Sequence, residues 1–220
     1  MLDAIALRMN FDNAVALLQQ QGVNVQNARL TQSYLRAETL LSTTVTNYDL
    51  PFLVNRPDAN NFNTQKKLQL QDAFVATQIG LFVAVPGSST ATNFPLFTYG
   101  DAITFSSANT STSLNSLYNG FMQITLNNNV IFPAWDLLRH FKAPWQQTQA
   151  AIASVTGARQ NSFDWGEDGF YPVEPNLVVN GAGNYQASLV LPSALAAIET
   201  NSRVICIMRG VLAQNVTSVQ

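Results

Sequence analysis

The chain has 220 residues, a net charge of −2 and a single cysteine, Cys206. This length can bury the core of one large domain, and one cysteine excludes an intrachain disulfide. Lys66 and Lys67 form the only adjacent basic pair, and residues 1–60 contain no cationic arm, so we expect no direct nucleic-acid binding by residues 1–60.

Residues 1–22 are predicted to form a helix. Asp12 can cap a segment in which apolar residues share a face, and Gly22 can end it. The helix would belong to an N-terminal helical arm, residues 1–27, which packs on its own domain or reaches a neighbour. Residues 28–220 would form the β domain.

The clearest strand in the sequence covers residues 72–85. Strict alternation would place Val75, Thr77 and Ile79 on one face and Phe74 with Ala76 on the other. Because fourteen residues is long for a strand, we expect a bend near Gly80. The Ser/Thr/Asn-rich stretch 106–116 is expected to be a surface segment.

The middle of the chain predicts a hairpin followed by helices. Residues 121–126 and 130–132 flank three asparagines, which tolerate left-handed turn positions. Residues 134–142 place Trp135, Leu138 and Phe141 at helical spacing, and 145–155 would continue as helix.

Near the C-terminus, two apolar runs surround a Gly/Asn cluster at 181–184, which predicts a hairpin over 175–191. Residues 204–212 are apolar on both faces, as in a central strand. Many strands with Gly, Pro and Asn turns and no βαβ alternation predict an all-β fold. The pattern alone leaves an antiparallel β-sandwich and a barrel open, with an N-terminal helix and short helices inserted in one long connection; the resemblance given below implies that the sandwich is a jelly roll.

An acidic cluster is the strongest candidate for chemistry. Asp164, Glu167 and Asp168 are close in sequence, and Glu174 follows. Paired carboxylates can hydrolyse glycosides or bind a cation. The Gly-rich setting and the lack of EF-hand spacing favour a solvated or inter-subunit loop instead. The three residues therefore stay weak candidates for a cation site.

The other reactive or aromatic residues are expected to be structural. His140 is the only histidine, so a two-histidine metal site is excluded. Cys206 lies between two isoleucines and is expected to be a buried hydrophobe. Gly181 and Gly183 lack the rest of a dinucleotide fingerprint. Three tryptophans could stack on sugars, although core or interface packing is favoured: Trp135, Trp145 and Trp165.

Charged residues make up only 11% of the chain, against about a quarter in typical soluble proteins. Asn and Gln replace them, with 22 and 17 copies. Charged residues are depleted in interface cores, so this composition favours a chain that packs against copies of itself. A soluble protein of low charge stays open. With no secretory signal and no long apolar run, we expect synthesis in a reducing cytoplasm.

The chain resembles jelly-roll capsid proteins of bacterial viruses, particularly those of Bacteroidetes-type hosts. The stretches that carry the resemblance are 34–38, 72–75, 117–126, 175–191 and 203–212. It implies a non-enzymatic, shell-forming subunit of an icosahedral virion, made in the host cytoplasm and without cofactors. The implied partners are copies of itself, other virion proteins or an internal membrane.

Three other functions remain open on the sequence. The chain could be another virion component, such as a spike, tail or decoration protein. It could be a carbohydrate-binding β-sandwich, or a glycosidase that uses Asp164, Glu167 or Glu174.

Overall fold

A computed structural model describes residues 2–100, 105, 110–126, 128–142 and 169–216, with side chains described from residue 11 onward except that of residue 111. The elements in chain order are α1 (Leu2–Gln20), β1 (Arg29–Leu40), β2 (Asn47–Leu50), β3 (Ala73–Ala84), α2 (Thr110–Leu117), β4 (Phe121–Leu126), β5 (Asn129–Asp136), a 3-10 turn (Leu138–His140), β6 (Phe170–Asn180), β7 (Tyr185–Val190) and β8 (Arg203–Gln214).

The eight strands form two four-stranded sheets that pack face to face. The first sheet has the order β1-β8-β3-β6 and the second has the order β2-β7-β4-β5. Every strand pair is antiparallel. Eight strands in this order form a jelly roll, a double-sheet sandwich with Greek-key connections. The predicted all-β sandwich is therefore confirmed.

The main core lies between the two sheets. Phe74 and Cys206 from the first sheet meet Met122 and Leu189 from the second in one buried cluster. The strand β8 pairs with β1 on one side and with β3 on the other, so the prediction of a central final strand is confirmed. Its outer face is covered near both ends, at Ile205 and at Val211, which explains apolar residues on both faces of the run 204–212.

The outer face of the first sheet is covered at two places. Near one end, Ala14 and Leu18 of α1 pack on Val75 and Val211. Near the other end, the segment 94–96 packs beside Phe82 and Phe170. The middle of this face lies between these two small clusters.

The N-terminal helix is confirmed as one continuous helix, and Asp12 lies within it rather than at its start. Gly22 ends it with a φ of +75°. Backbone hydrogen bonds of 3.0 Å run from Gly22 N to Gln19 O and from Val23 N to Leu18 O. These two bonds and the left-handed glycine make a Schellman cap, which satisfies carbonyls at the helix end.

Strand β3 bends at Thr77, not at the predicted Gly80. The register with both neighbouring strands shifts between Ala76 and Gln78. This bulge reverses the alternation, so Phe74 and Ile79 both face the main core. The expected grouping of Val75 with Ile79 on one face is therefore wrong.

The hairpin predicted over residues 175–191 is wrong, although the turn at 181–184 exists. Strand β6 pairs with β3 in the first sheet, whereas β7 pairs with β2 and β4 in the second. The turn therefore carries the chain from one sheet to the other. Each of these strands has an apolar face, and stacking lets both faces bury in the same core.

The helix predicted over residues 134–142 is also wrong. Residues Phe121 and Met122 of β4 pair with Asp136 and Trp135, so this segment continues β5. The hairpin around Asn128 is confirmed, with a φ of +67° at that residue. Helical structure appears instead in α2, where Leu114, within the expected surface stretch 106–116, and Leu117, just after it, are fully buried. The segment 145–155 lies outside the described residues.

Candidate assembly surface

The predicted cation site lies outside the part of the chain that the structure describes, since Asp164, Glu167 and Asp168 fall in the gap 143–168. Glu174 lies in β6 and is exposed. Within the described ranges, no group of three or more His, Cys, Asp or Glu residues could hold a metal ion. The cation site therefore stays a prediction.

His140 is a buried link between the end of β5 and the start of β6. Its Nε2 accepts a hydrogen bond of 2.9 Å from Trp135 Nε1. Its Nδ1 lies 3.0 Å from the carbonyl oxygen of Gly169. A ring that accepts at Nε2 and donates at Nδ1 is a neutral imidazole with the proton on Nδ1. Both nitrogens are used, which agrees with a structural role.

The surroundings of His140 keep it neutral. The pKa of the ring is lowered to about 4, mainly by burial and also by the nearby cations Arg139 and Lys142, while the Gly169 carbonyl and Asp136 oppose the shift. A charged imidazolium in this place would be poorly solvated and would lose the acceptor at Nε2 that the Trp135 indole uses.

Cys206 is fully buried in the core between the sheets. Burial raises the pKa of its thiol to about 12. A thiol that stays protonated and out of reach of solvent is not a nucleophile. The expectation of a buried hydrophobic residue agrees with this position.

Trp135 is 8% exposed and packs against the ring of Phe132 at 5.9 Å between centroids. The Arg139 guanidinium lies 4.4 Å from the centre of its ring. It therefore offers no open platform for a sugar. Trp145 and Trp165 lie outside the described residues.

The Gly181–Gly183 pair serves the turn between the two sheets. The N–H of Gly181 donates to Asp72 O at 2.9 Å, and a side chain at Gly181 would meet the backbone oxygen of Gln69 at 1.8 Å. The glycine is needed for this close approach of two backbones, and it has no helix after it that could bind a phosphate.

A buried ionic cluster at one end of the first sheet was not predicted from the sequence. Arg203 and Glu38 are both 0% exposed. Arg203 Nη1 lies 3.1 Å from Glu38 Oε2, and Arg36 Nε lies 2.7 Å from Glu38 Oε1. The register brings them together, because Arg203 pairs with Leu40, two residues after Glu38 on β1. Only the pairing of strands distant in sequence could reveal this cluster.

The ionic cluster fixes two long loops to the sheet. Arg203 Nη2 donates to the carbonyl oxygens of Ser88 and Ser89 at 3.2 and 2.7 Å. Its guanidinium also stacks 3.7 Å from the centre of the Phe62 ring. This arrangement holds the segments around residues 62 and 88 against the sheet.

Three of the four sheet edges carry devices that block further strand pairing. The free edge of β1 is covered at Arg36, whose backbone N–H and C=O are both hydrogen-bonded to the backbone of Lys66 at 2.9 Å. Strand β2 has only four residues and is followed by Pro51, and β6 contains Pro172 and Pro175. Short edges, covering segments and prolines are the usual protection against edge-to-edge association.

Strand β5 is the edge with the least protection over its first half. Pro133 and the register shifts against β4 disturb its second half, but residues 129–132 contain no proline. Val130 is 50% exposed and Ile131 is 38% exposed, and Leu138 just after the strand is 57% exposed. Seven large apolar side chains are exposed among the described residues, and these three are among them. The three residues are here called the β5 edge.

The described fold therefore defines a jelly-roll sandwich with one apolar edge. Comparison of the chain with models of protein families, with curated proteins and with solved structures finds no match. Within the described ranges, no helix has the length and hydropathy that crossing a membrane requires.

Proposed function

We propose that this chain is a structural subunit that assembles with copies of itself into the capsid shell of an icosahedral virion. The observation that carries the proposal is the β5 edge: Val130 and Ile131 are exposed in the proline-free first half of an edge strand, and Leu138 is exposed just beyond its other end. Exposed apolar side chains along an edge strand are a feature that pairing with another copy can bury.

The fold and the composition support the same proposal. Jelly rolls of eight strands build viral capsids, and they also occur in lectins and cupins, so the fold alone does not decide function. A surface with 11% charged residues favours close packing of copies. In a symmetric shell each contact is repeated many times, so modest contacts suffice.

The test is a pair of matched valine substitutions. Val130→Lys places a charge at the β5 edge, whereas Val45→Lys places it on a connection where Val45 is 39% exposed. Burying a whole valine side chain contributes about 2 kcal/mol. Because Val130 is 50% exposed, a contact can gain about 1 kcal/mol from it, and Val130→Lys should weaken each contact about fivefold or more. Sedimentation velocity over a concentration series should show assembly lost in Val130→Lys and kept in Val45→Lys.

The result that contradicts the proposal is equally definite. If both variants assemble as the parent chain does, the β5 edge is not the contact. If the parent chain sediments as a monomer at every concentration, the self-assembly proposal fails.

A further inference from the structure

The outer face of the first sheet contains a cleft of about 620 Å³ between α1 and the cluster around Phe82. The strand register gives its floor. Tyr34, Arg209 and Gln78 lie in one row across β1, β8 and β3. The next row carries Arg36 and Ile207, and it includes Gly80, whose lack of a side chain leaves room for the Phe170 ring.

Arg209 supplies a positioned cation to this cleft. Its guanidinium lies 3.6 Å from the centre of the Phe170 ring, and stacking of this kind holds the planar group in one orientation. The side chain is exposed, and among the described residues no carboxylate pairs with it. Its N–H groups are therefore available to an anion such as a phosphate or a carboxylate.

Planar and amide groups lie next to this cation. Tyr34 is 46% exposed and lines the cleft, with Lys66 Nζ 6.0 Å from the centre of its ring. Gln32 and Gln78 also line the cleft. Aromatic rings and guanidinium planes stack on nucleobases, and amide side chains can match the donors and acceptors on base edges.

We propose that this cleft binds a nucleoside phosphate, with the phosphate on Arg209 and the base against Tyr34. The volume lies in the range of small-ligand sites, roughly 300–1,000 Å³, and fits one nucleotide rather than a duplex. The source is a free nucleotide or one unit of a single strand. Tyr34 and Gln32 belong to residues 1–60, so a single strand in this cleft would go against the expectation that residues 1–60 bind no nucleic acid directly. The charge comes from Arg209 on β8 and needs no cationic arm, and the site does not depend on shell formation.

The experiment is calorimetric titration of the whole chain at low ionic strength. The probes are thymidine monophosphate, adenosine monophosphate and a thymidine tetranucleotide, with inorganic phosphate and glucuronate as comparison anions. We expect saturable binding of one nucleotide per chain. Tighter binding of the tetranucleotide identifies a single strand as the source, and equal binding identifies the free nucleotide.

Two variants and a matched control localise the site. Arg209→Gln and Tyr34→Leu should each weaken binding about tenfold or more, through loss of a charged hydrogen bond or of base stacking. Arg139→Gln is the control, because Arg139 is also exposed and stacked on an aromatic ring but lies outside the cleft. It should bind as the parent chain does, and circular dichroism should show all three variants folded.

Three results would overturn the assignment. The first is no saturable heat with any nucleotide or with the tetranucleotide. The second is an equal loss of affinity in Arg139→Gln and Arg209→Gln. The third is binding of phosphate or glucuronate as tight as that of the nucleotides, which would leave the base unrecognised.

Discussion

Replacing Arg203 by methionine tests how the buried ionic cluster contributes to stability. The substitution removes the 3.1 Å contact with Glu38, two hydrogen bonds to Ser88 and Ser89, and the stack on Phe62. Breaking a buried ion pair by removing one partner costs about 3–5 kcal/mol. Because Arg36 still contacts Glu38 at 2.7 Å, we expect the lower end, about 3 kcal/mol.

The double variant Glu38→Leu with Arg203→Met separates the ion pair from the packing. With both charges gone, neither of the two fully buried charges is left without a partner, and such replacements are often neutral or stabilising. Arg36 also loses its contact with Glu38, but its side chain keeps 17% exposure. We expect urea unfolding to show the double variant more stable than Arg203→Met alone, with an unchanged denaturant slope. A double variant that is less stable than Arg203→Met alone would refute this reasoning.

Three further predictions concern single groups. His140 has a folded pKa of about 4 against 6.5 unfolded, so only the unfolded chain takes up its proton between these values; stability should be full above pH 6.5 and fall by about 3 kcal/mol as the pH drops to 4. The urea concentration at the midpoint of unfolding, measured between pH 4 and 6.5, should fall as the pH falls. In the His140→Gln variant, the part of this fall that comes from His140 should be absent. Gly210→Ala would place a methyl group 1.8 Å from Val75 O and should cost about 3 kcal/mol in thermal unfolding, whereas Gly87→Ala meets nothing within 4 Å and should be neutral. The Cys206 thiol, with its pKa raised to about 12, should react with a colorimetric thiol reagent only after the chain unfolds; rapid reaction of the native chain would contradict its burial.

Local sequence patterns predicted the strands better than their pairing. The run 204–212 was correctly assigned to a central strand, because apolar residues on both faces need cover on both sides. The run 175–191 was misassigned, because a glycine-rich turn between two strands looks the same within one sheet and between two sheets. The contact that decides this is the approach of Gly181 to Gln69, which are 112 positions apart in the sequence.

Short helical periodicity was the weakest signal. Trp135, Leu138 and Phe141 have the spacing of a helix, yet pairing with β4 draws Trp135 into a strand and leaves Leu138 in a single 3-10 turn. Three positions cannot separate one turn from a helix. The reverse error occurs at α2, where no helix was predicted. Burial of Leu114 and Leu117 against the core stabilises a helix there, although the stretch is rich in poor helix formers.

The candidate surfaces depend on the three-dimensional arrangement. Composition favours self-association without locating it, and the exposure of Val130 and Ile131 gives the proposal a particular edge to test. The row of Tyr34, Arg209 and Gln78 joins residues from three strands, so no window of sequence contains it. The buried pair of Glu38 and Arg203 was likewise out of reach, because a lone charge in a strand usually indicates exposure.

The most direct measurement of the central proposal is negative-stain electron microscopy of the purified parent chain, with light scattering on the same sample. The proposal predicts shells, rings or regular pentamers and hexamers, with a mass many times the 24.0 kDa of one chain. A monodisperse monomer of that mass at high concentration would contradict it.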